Sequence, residues 1–519
     1  MRTCRELGIA TVAVYSDIDR TSPHVRAADE AYPIGAAAPR ESYLNGDRII
    51  AVAKRSGCDA LHPGYGFLSE NADFADAVAA AGLIFIGPPG AVQRALGEKT
   101  SARRIAAQAG VPVAEGTMEA ITDERAARTI AERVGYPVLL KPAGGGGGKG
   151  MRVVRDASEL AGAWRGATGE ALTSFGAPAL LLERLIEHAR HVEVQLFADT
   201  RGTVVSLGER DCSVQRRHQK LIEESPAPGL DAALQATLAA AAVKIAAAAG
   251  YVNAGTAEFL VAPDGRFFFL EMNTRLQVEH PVTELVTGLD LVALQLRVAA
   301  GEPLPFTRDG VRSNGAAIEL RITSEDPFGG FLPQGGRIDF VREPSGPGIR
   351  MDSGLAAPMI VPNDYDPLLA KLIAWGPDRA TALARARRAI RETIIAGVPT
   401  SLPFHSFVLR EPDFVAGRYD TDYVGTHWST PRPAEISESA AIAAALAGVA
   451  RLRAEPRPAV TASAPWVRRA REDARRCGTR CGPASATSRS MPRPRGASSS
   501  GTSSSPPRWS RWSAAGCTR

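Results

Sequence analysis

At 519 residues the chain has room for about three domains of ordinary size. Its 45% hydrophobic and 23% charged residues are those of a soluble globular protein with ample core. The net charge of +5 is a property of the tail: twelve arginines and no lysine face only Glu472 and Asp473 in residues 466–519, a surplus of ten, so the remainder carries a net −5 and gives nucleic-acid binding no support.

The N-terminus lacks the basic, apolar and small-residue succession of a signal peptide, and no apolar run approaches the roughly 20 residues that span a bilayer, so a cytoplasmic, membrane-free protein is expected. Residues 11–15, 60–62 and 84–86 read as strands and 51–56 as the end of a helix, a βαβ pattern that predicts a parallel sheet. Residues 2–7 read as the last turns of a helix whose preceding strand is missing. The stretch His62-Pro-Gly-Tyr-Gly-Phe-Leu-Ser-Glu-Asn71 is a Gly/Pro-punctuated loop entering a helix, with Ser69 or Asn71 as its cap and His62 as a structural residue.

A helical run around Gly97-Glu-Lys99 leads through Val111-Pro-Val113 to a helix over 121–134. A strand over 136–140 then delivers Lys141 into Pro142-Ala-Gly-Gly-Gly-Gly-Gly-Lys149-Gly150, which is left through a strand over 151–154. Consecutive glycines align backbone N–H groups around phosphate, and flanking lysines add point charges. A flexible linker is seldom entered and left by strands, and a Walker loop would end in Gly-Lys-Ser/Thr and open a helix. The stretch therefore reads as a phosphate-covering loop.

A helix over 157–172 precedes a strand over 179–183, whose terminal Glu183 suits an adenine or ribose edge. Strands over 190–197 and 203–207 follow. The segment 209–220 is dense in cations and amides; it reads either as a solvated face or as a loop in which Gln215, His218 and Lys220 collect a small anion.

Strands over 255–261 and 266–270 are joined by Pro263-Asp264-Gly265, which carries the Asp-Gly hairpin signal. A turn centred on Asp264-Gly265 sets Glu258 opposite Glu271. Two facing carboxylates are destabilising unless a cation lies between them, and oxygen ligands with Asn273 nearby suit Mg²⁺. Read with a period of two, Glu271-Met-Asn-Thr-Arg-Leu-Gln-Val-Glu-His280 puts Glu271, Asn273, Arg275, Gln277 and Glu279 on one polar face of an extended segment. Beyond it a helix over 285–300 closes the unit. Strands over 316–322, with Arg321 and Glu319 on one face, 337–341, 359–361 and 371–375, and a helix over 379–394, form a third, α+β unit.

Taken in this order, the 62–71 and 141–150 stretches, Glu209-Arg-Asp-Cys-Ser-Val-Gln-Arg-Arg-His-Gln-Lys220 and Glu271-Met-Asn-Thr-Arg-Leu-Gln-Val-Glu-His-Pro281 resemble biotin carboxylase, the ATP-grasp component of biotin-dependent carboxylases of the acetyl- and propionyl-CoA carboxylase alpha-chain type. The resemblance runs over residues 2–428. It implies an α/β and α+β multidomain chain: a Rossmann-like N-terminal domain over 1–95 lacking its first strand, an ATP-grasp domain over 96–310 with a mobile lid at 114–186, and a biotin carboxylase C-terminal domain over 315–428. Lys99, Lys141, Gly147, Gly148, Glu183, Ile186, His191 and His218 match nucleotide-contacting positions, with Gln215 beside them. Glu258, Glu271 and Asn273 match metal-binding positions. Lys220, Arg275, Gln277 and Val278 match the bicarbonate pocket, Glu279 the general base, and Arg321 the cation that stabilises biotin as its enolate.

The function so implied is ATP-dependent carboxylation of biotin by bicarbonate through carboxyphosphate, the first half-reaction of an acyl-CoA carboxylase of fatty acid biosynthesis. ATP and Mg²⁺, with Mn²⁺ as a substitute, are the implied cofactors; biotin is a carrier-bound substrate. The implied partners are a second copy of the chain, a biotin carboxyl carrier protein or domain, and a carboxyltransferase subunit. The competing readings are an inactive truncated scaffold subunit or another ATP-grasp ligase, such as a carbamoyl-phosphate-type synthetase half.

Two departures accompany the resemblance. The family's first strand and its Arg-Gly-Glu loop have no counterpart, which is read as a start codon placed too far downstream. Residues 429–519 are read as a helical remnant and a disordered or out-of-frame tail, with no Ala-Met-Lys-Met biotinylation motif. Cys477 and Cys481 lack a second ligand pair for zinc, and Cys4, Cys58, Cys212 and Cys517 complete no disulfide framework.

Overall fold

The structure is a computed structural model and describes residues 1–144, 148, 150–307, 310–428 and the backbone of 511–514. Gly147, Lys149 and the tail cysteines lie outside the described residues. The first sheet is parallel and contains β1 (Ala10–Ser16), β2 (Glu30–Gly35), β3 (Ala60–His62) and β4 (Ile84–Phe85). Val12, Ala13 and Val14 are almost wholly buried, as expected of a strand covered on both faces. Arg511–Ala514 runs between β1 and β3, parallel to both, at the place where the sequence left a gap; this segment of the tail is thus a strand. Asn71, not Ser69, caps the helix Ala72–Ala80 by accepting from Phe74 N at 2.8 Å.

A small antiparallel sheet follows, β5 (Val138–Pro142), β6 (Arg152–Val154) and β7 (Leu180–Arg184), in the order β6-β5-β7. The helices Glu124–Val134 and Leu160–Phe175 close over it around Leu140, Trp164 and Leu182. The glycine-rich stretch connects β5 to β6.

The largest sheet is antiparallel and has eight strands: β8 (Arg190–Ala198), β9 (Val204–Arg216), β10 (Gln219–Ser225), β11 (Asn253–Val261), β12 (Phe267–Asn273), β13 (Ala316–Thr323), and two more at Leu368–Gly376 and Ile349–Ser353. Their spatial order is β12-β11-β8-β9-β10-β13, then Leu368–Gly376, then Ile349–Ser353. The boundary expected between 310 and 315 therefore falls between strands of one continuous sheet, because β10 pairs with β13.

Five local expectations are corrected. The 209–220 segment is a hairpin of β9 and β10, not a loop: Gln219 pairs with Arg216 and Lys220 with Gln215, and Arg217 and His218 take positive φ of 49° and 65° as the two turn residues. Its charges hid the strand period. The 285–300 helix is two helices, His280–Thr287 and Leu291–Ala299, parted by Gly288 in the left-handed conformation and restarted by Asp290, which caps Ala293 N at 2.8 Å. The run around Gly97-Glu-Lys99 likewise divides into Gly90–Gly97 and Lys99–Gln108, because Glu98 is extended. The 337–341 strand is split between two two-stranded sheets, Gly336–Ile338 against Met359–Val361 and Phe340–Arg342 against Ile394–Ala396. Finally, the alternating face of 271–280 is extended only to Asn273. Residues 274–279 turn into the His280–Thr287 helix, so Glu279 reaches its neighbours as that helix's N-terminal residue and not as a strand residue. Among the described residues no helix is long and apolar enough to cross a membrane.

Candidate active site

Register across the large sheet lines up charged residues that are far apart in sequence. Glu271 pairs with Glu258, Glu258 with Glu193 and Glu193 with Arg210; farther along, Glu223 pairs with Glu319, Arg321 with Lys371 and Lys371 with Asp352. The Glu258–Glu271 pairing is the one the hairpin signal predicts, but it is reached differently. Next to the turn the register is one residue shorter, Val261 facing Phe267, and a bulge between Glu258 and Phe259 restores it.

Lys220 sits at the centre. Its ammonium donates to Glu193 Oε2 at 2.5 Å, Glu279 Oε1 at 2.6 Å and Glu258 Oε1 at 2.9 Å, which uses all three of its protons. Arg321 continues the network, with Nη2 donating to Glu279 Oε2 at 2.9 Å and Nε to Glu223 Oε1 at 2.6 Å. Arg210, fully buried, donates to Glu193, to Gln195 Oε1 at 2.7 Å and to Gln277 Oε1 at 2.7 Å. Burial alone would push Glu279 up, but Lys220, Arg321 and Arg210 outweigh it and hold this carboxyl well below the usual range. The three cations thus favour the ionised form of Glu279.

Glu258 accepts from Asn273 Nδ2 and Gln277 Nε2, both at 2.8 Å, besides Lys220, and its second oxygen lies 2.9 Å from His191 Nε2. Burial opposes its charge, yet Lys220 and His191 hold it well below its ordinary value. Glu271 is less compensated: burial and then Glu258 push it up, with Lys99 and Lys141 opposing. Two carboxylates paired directly across neighbouring strands, in an oxygen donor set with Asn273, fit a hard divalent cation such as Mg²⁺. Asn273 Oδ1 accepts from Arg275 Nη2 at 2.7 Å, and Arg275 Nε donates to Glu70 Oε2 at 2.9 Å.

The positions matched to nucleotide contact are spread over β5, β7, β8, the β9–β10 hairpin and the helix Lys99–Gln108. Lys141 pairs with Glu183, as does Arg103 Nη1 at 3.0 Å, so Glu183 is held below its ordinary value despite burial. Lys99 opens the helix Lys99–Gln108; burial lowers its pKa, while Glu271 opposes that shift. Gln215 Nε2 is 3.4 Å from His191 Nδ1. Gly148 has φ +72°, and a Cβ there would stand 2.2 Å from His218 Cδ2, so the glycine stretch approaches the hairpin turn at this point. Ile186 lies just past β7, half-buried. Val278 contributes its carbonyl, which accepts from Lys371 Nζ at 2.5 Å.

Several members of the network escaped the sequence reading: Glu193, Arg210, Glu223, Lys371 and Glu70. A signal existed for Glu193, since His191, Glu193 and Gln195 alternate along one face of β8 just as Glu271 and Asn273 do along β12. Glu70 belongs to the 62–71 stretch that reads as a turn, and it braces residues 274 and 275 by accepting from Thr274 N and Arg275 Nε, both at 2.9 Å.

The carbonyl of Arg321 is held by His405 Nε2 at 2.7 Å, and burial pushes His405 down from 6.5 to about 4. His405 is therefore neutral in the fold where an unfolded imidazole is charged. Between pH 6.5 and 4 the unfolded chain binds the extra proton, and stability falls as pH falls. Unfolding free energy is expected to drop by about 2 kcal/mol between pH 7 and 5 through this group, and that component is absent in His405→Gln, measured as urea midpoints of the two proteins across the window.

Comparison with known proteins agrees with this geometry. Residues 1–92 match the family model for the biotin carboxylase N-terminal domain, 98–307 that for the carbamoyl-phosphate synthase L chain ATP-binding domain, and 319–426 that for the biotin carboxylase C-terminal domain. The fold and site are those of an ATP-grasp ligase. A biotin carboxylase from Nostoc sp. is 48% identical over 424 residues, covering 82% of this chain and 95% of the relative; biotin carboxylase 1 from Bacillus subtilis is 46% identical over 428 residues, also covering 82% and 95%. The crystal structure of the biotin carboxylase domain dimer of Hydrogenobacter thermophilus 2-oxoglutarate carboxylase, in complex with MgADP, ADP and bicarbonate, superposes with a TM-score of 0.81 at 43% identity, covering 83% and 96%. The chain belongs to the biotin carboxylase family.

Proposed function

We propose that this chain carries out the ATP-dependent carboxylation of biotin by bicarbonate, in the cytoplasm, as the first half-reaction of an acyl-CoA carboxylase. Biotin is presented by a carrier protein or domain, the carboxyltransferase is a separate partner, and the working unit is a homodimer. The reading rests on one observation: Glu258, Lys220, Glu279 and Arg321 form an unbroken chain of contacts at 2.9, 2.6 and 2.9 Å, joining the metal-type pair to the arginine suited to biotin.

In this reading Lys99, Lys141, Gly147, Gly148, Glu183, Ile186, His191, Gln215 and His218 bind the nucleotide, and Glu258, Glu271 and Asn273 hold Mg²⁺. Mg²⁺ held by these residues would neutralise phosphate charge during the transfer. Bicarbonate enters beside Lys220, Arg275, Gln277 and Val278. Its anion competes with Glu279 for Lys220 and Arg321, and a carboxylate relieved of its cations regains basicity, so Glu279 becomes a competent base only once substrate is present. Bicarbonate oxygen attacks the γ-phosphorus, the bond to ADP breaks, and Glu279 takes the proton, giving carboxyphosphate. Carboxyphosphate divides into CO₂ and phosphate; phosphate removes the N1′ proton of biotin, and the resulting enolate, its oxyanion held by Arg321, attacks CO₂. A guanidinium suits that task because it never loses its charge.

ADP release by purified protein tests the reading. Bicarbonate-dependent release stimulated by free biotin supports it; bicarbonate-dependent release indifferent to biotin supports another ATP-grasp ligase; no release under saturating bicarbonate supports the scaffold reading. The metal assignment has its own readout. Glu271→Gln removes a cross-strand repulsion and is expected to stabilise the ligand-free protein by roughly 0.5–1 kcal/mol. Mg²⁺-nucleotide should then raise the thermal midpoint of the variant less than that of the wild type.

A further inference from the structure

A second facing pair of acids lies in the same sheet, on the side of Arg321 away from the metal-type pair. Glu223 on β10 and Glu319 on β13 are directly opposed and both wholly buried. Directly opposed like charges on neighbouring strands repel. On one side of Glu319 the sheet is apolar: Ala317 and Ile373 pack with Val282 and Val286 under the His280–Thr287 helix.

Two cations stand next to Glu319, and both turn elsewhere. Arg321, two residues along the same strand, gives its hydrogen bonds to Glu223 and Glu279. Lys371, on the neighbouring strand, gives its own to the Val278 carbonyl at 2.5 Å, with Asp352 at 3.7 Å. Neither oxygen of Glu319 has a hydrogen-bond partner among the described residues, and neither has Glu223 Oε2. An ionised carboxylate beside an ammonium and a guanidinium would draw them in. Both cations give their hydrogen bonds to other acceptors, as they would beside a neutral acid.

Resting on the proposed function, we propose that of Glu223 and Glu319 only Glu319 carries a proton, and that this singly charged pair is the positioning device for Arg321. The single charge on Glu223 fixes Arg321 Nε, which leaves Nη2 aimed at Glu279 and the reaction site. The neutrality of Glu319 leaves Lys371 to the Val278 carbonyl, so the turn that carries Gln277, Val278 and Glu279 is pinned from below. A second charge would cancel the potential that Arg321 needs to hold a biotin oxyanion. The charged groups facing Glu319 are Glu223 from β10, Arg321 from its own strand, Lys371 from the adjacent strand and Glu279 from the start of the helix above. Burial, reinforced by Glu223 and opposed by Lys371, pushes Glu319 well above the ordinary carboxyl range, which agrees with the geometry.

The test combines turnover with a direct reading of the proton. Glu319→Ala should lower kcat/KM for free biotin about tenfold, and Glu319→Gln, a neutral isostere, should restore it to within about threefold of wild type, whereas Glu223→Gln should cost more than tenfold, mainly as a higher KM for biotin. Infrared difference spectra of wild type against Glu319→Gln should contain a carboxylic-acid C=O band at neutral pH that shifts in D₂O. Glu319→Gln as impaired as Glu319→Ala, or a carboxylate band in place of the acid band, would overturn the inference. The infrared measurement needs no turnover, so it decides the matter even for a wild-type protein that fails to carboxylate biotin, the result that would sink the proposed function instead.

Discussion

Glu279→Gln should lower carboxylation of free biotin by about a hundred- to ten-thousandfold, the range over which positioned general bases act. The substitution keeps size and shape and removes only the anion. Folding should survive it: Lys220 retains Glu193 and Glu258, Arg321 retains Glu223, and the Glu279 side chain makes no capping bond to the helix it begins. Because the base acts on bicarbonate, bicarbonate-dependent ADP release should fall with carboxylation. A variant whose two rates match the wild type would remove Glu279 from the chemistry. A variant that releases ADP normally but fails to carboxylate would move its role to the biotin step.

Much of this site was legible in the chain because its chemistry is local. The Asp264-Gly265 signal brings Glu258 opposite Glu271 over a short hairpin, and the period of β12 sets Asn273 on the same side. What was not legible depends on register between strands distant in sequence. Glu223 and Glu319 meet because β10 pairs with β13, and Arg321 meets Lys371 because β13 pairs with Leu368–Gly376. Neither pairing has a turn signal, and each acid alone reads as an ordinary polar residue in an apolar strand. The end of β12 was missed for a related reason: Arg275, Gln277 and Glu279 keep the alternation of a strand, but Glu70 captures Thr274 N, and Pro281 sits in the first turn of the helix that follows. A period of two in polar residues therefore survived where the backbone had already turned.

Arg321→Ala should separate the two halves of the reaction. Carboxylation of free biotin is expected to fall about a hundred- to a thousandfold, the usual consequence of removing a preorganised group from a developing oxyanion. Bicarbonate-dependent ADP release should fall less than tenfold, since Lys220 still holds Glu279 at 2.6 Å and the metal-type pair is untouched. Folding is protected by the environment of Glu223. Burial pushes this acid up and Arg321 opposes that shift, so losing the guanidinium lets it take a proton instead of remaining a bare buried charge. Arg321→Lys should recover little, because one ammonium cannot reproduce the fork that reaches Glu223 through Nε and Glu279 through Nη2. Equal losses in both assays would mean that Arg321 maintains the whole network and has no particular role toward biotin, and full recovery by lysine would mean that its charge matters and its planar geometry does not.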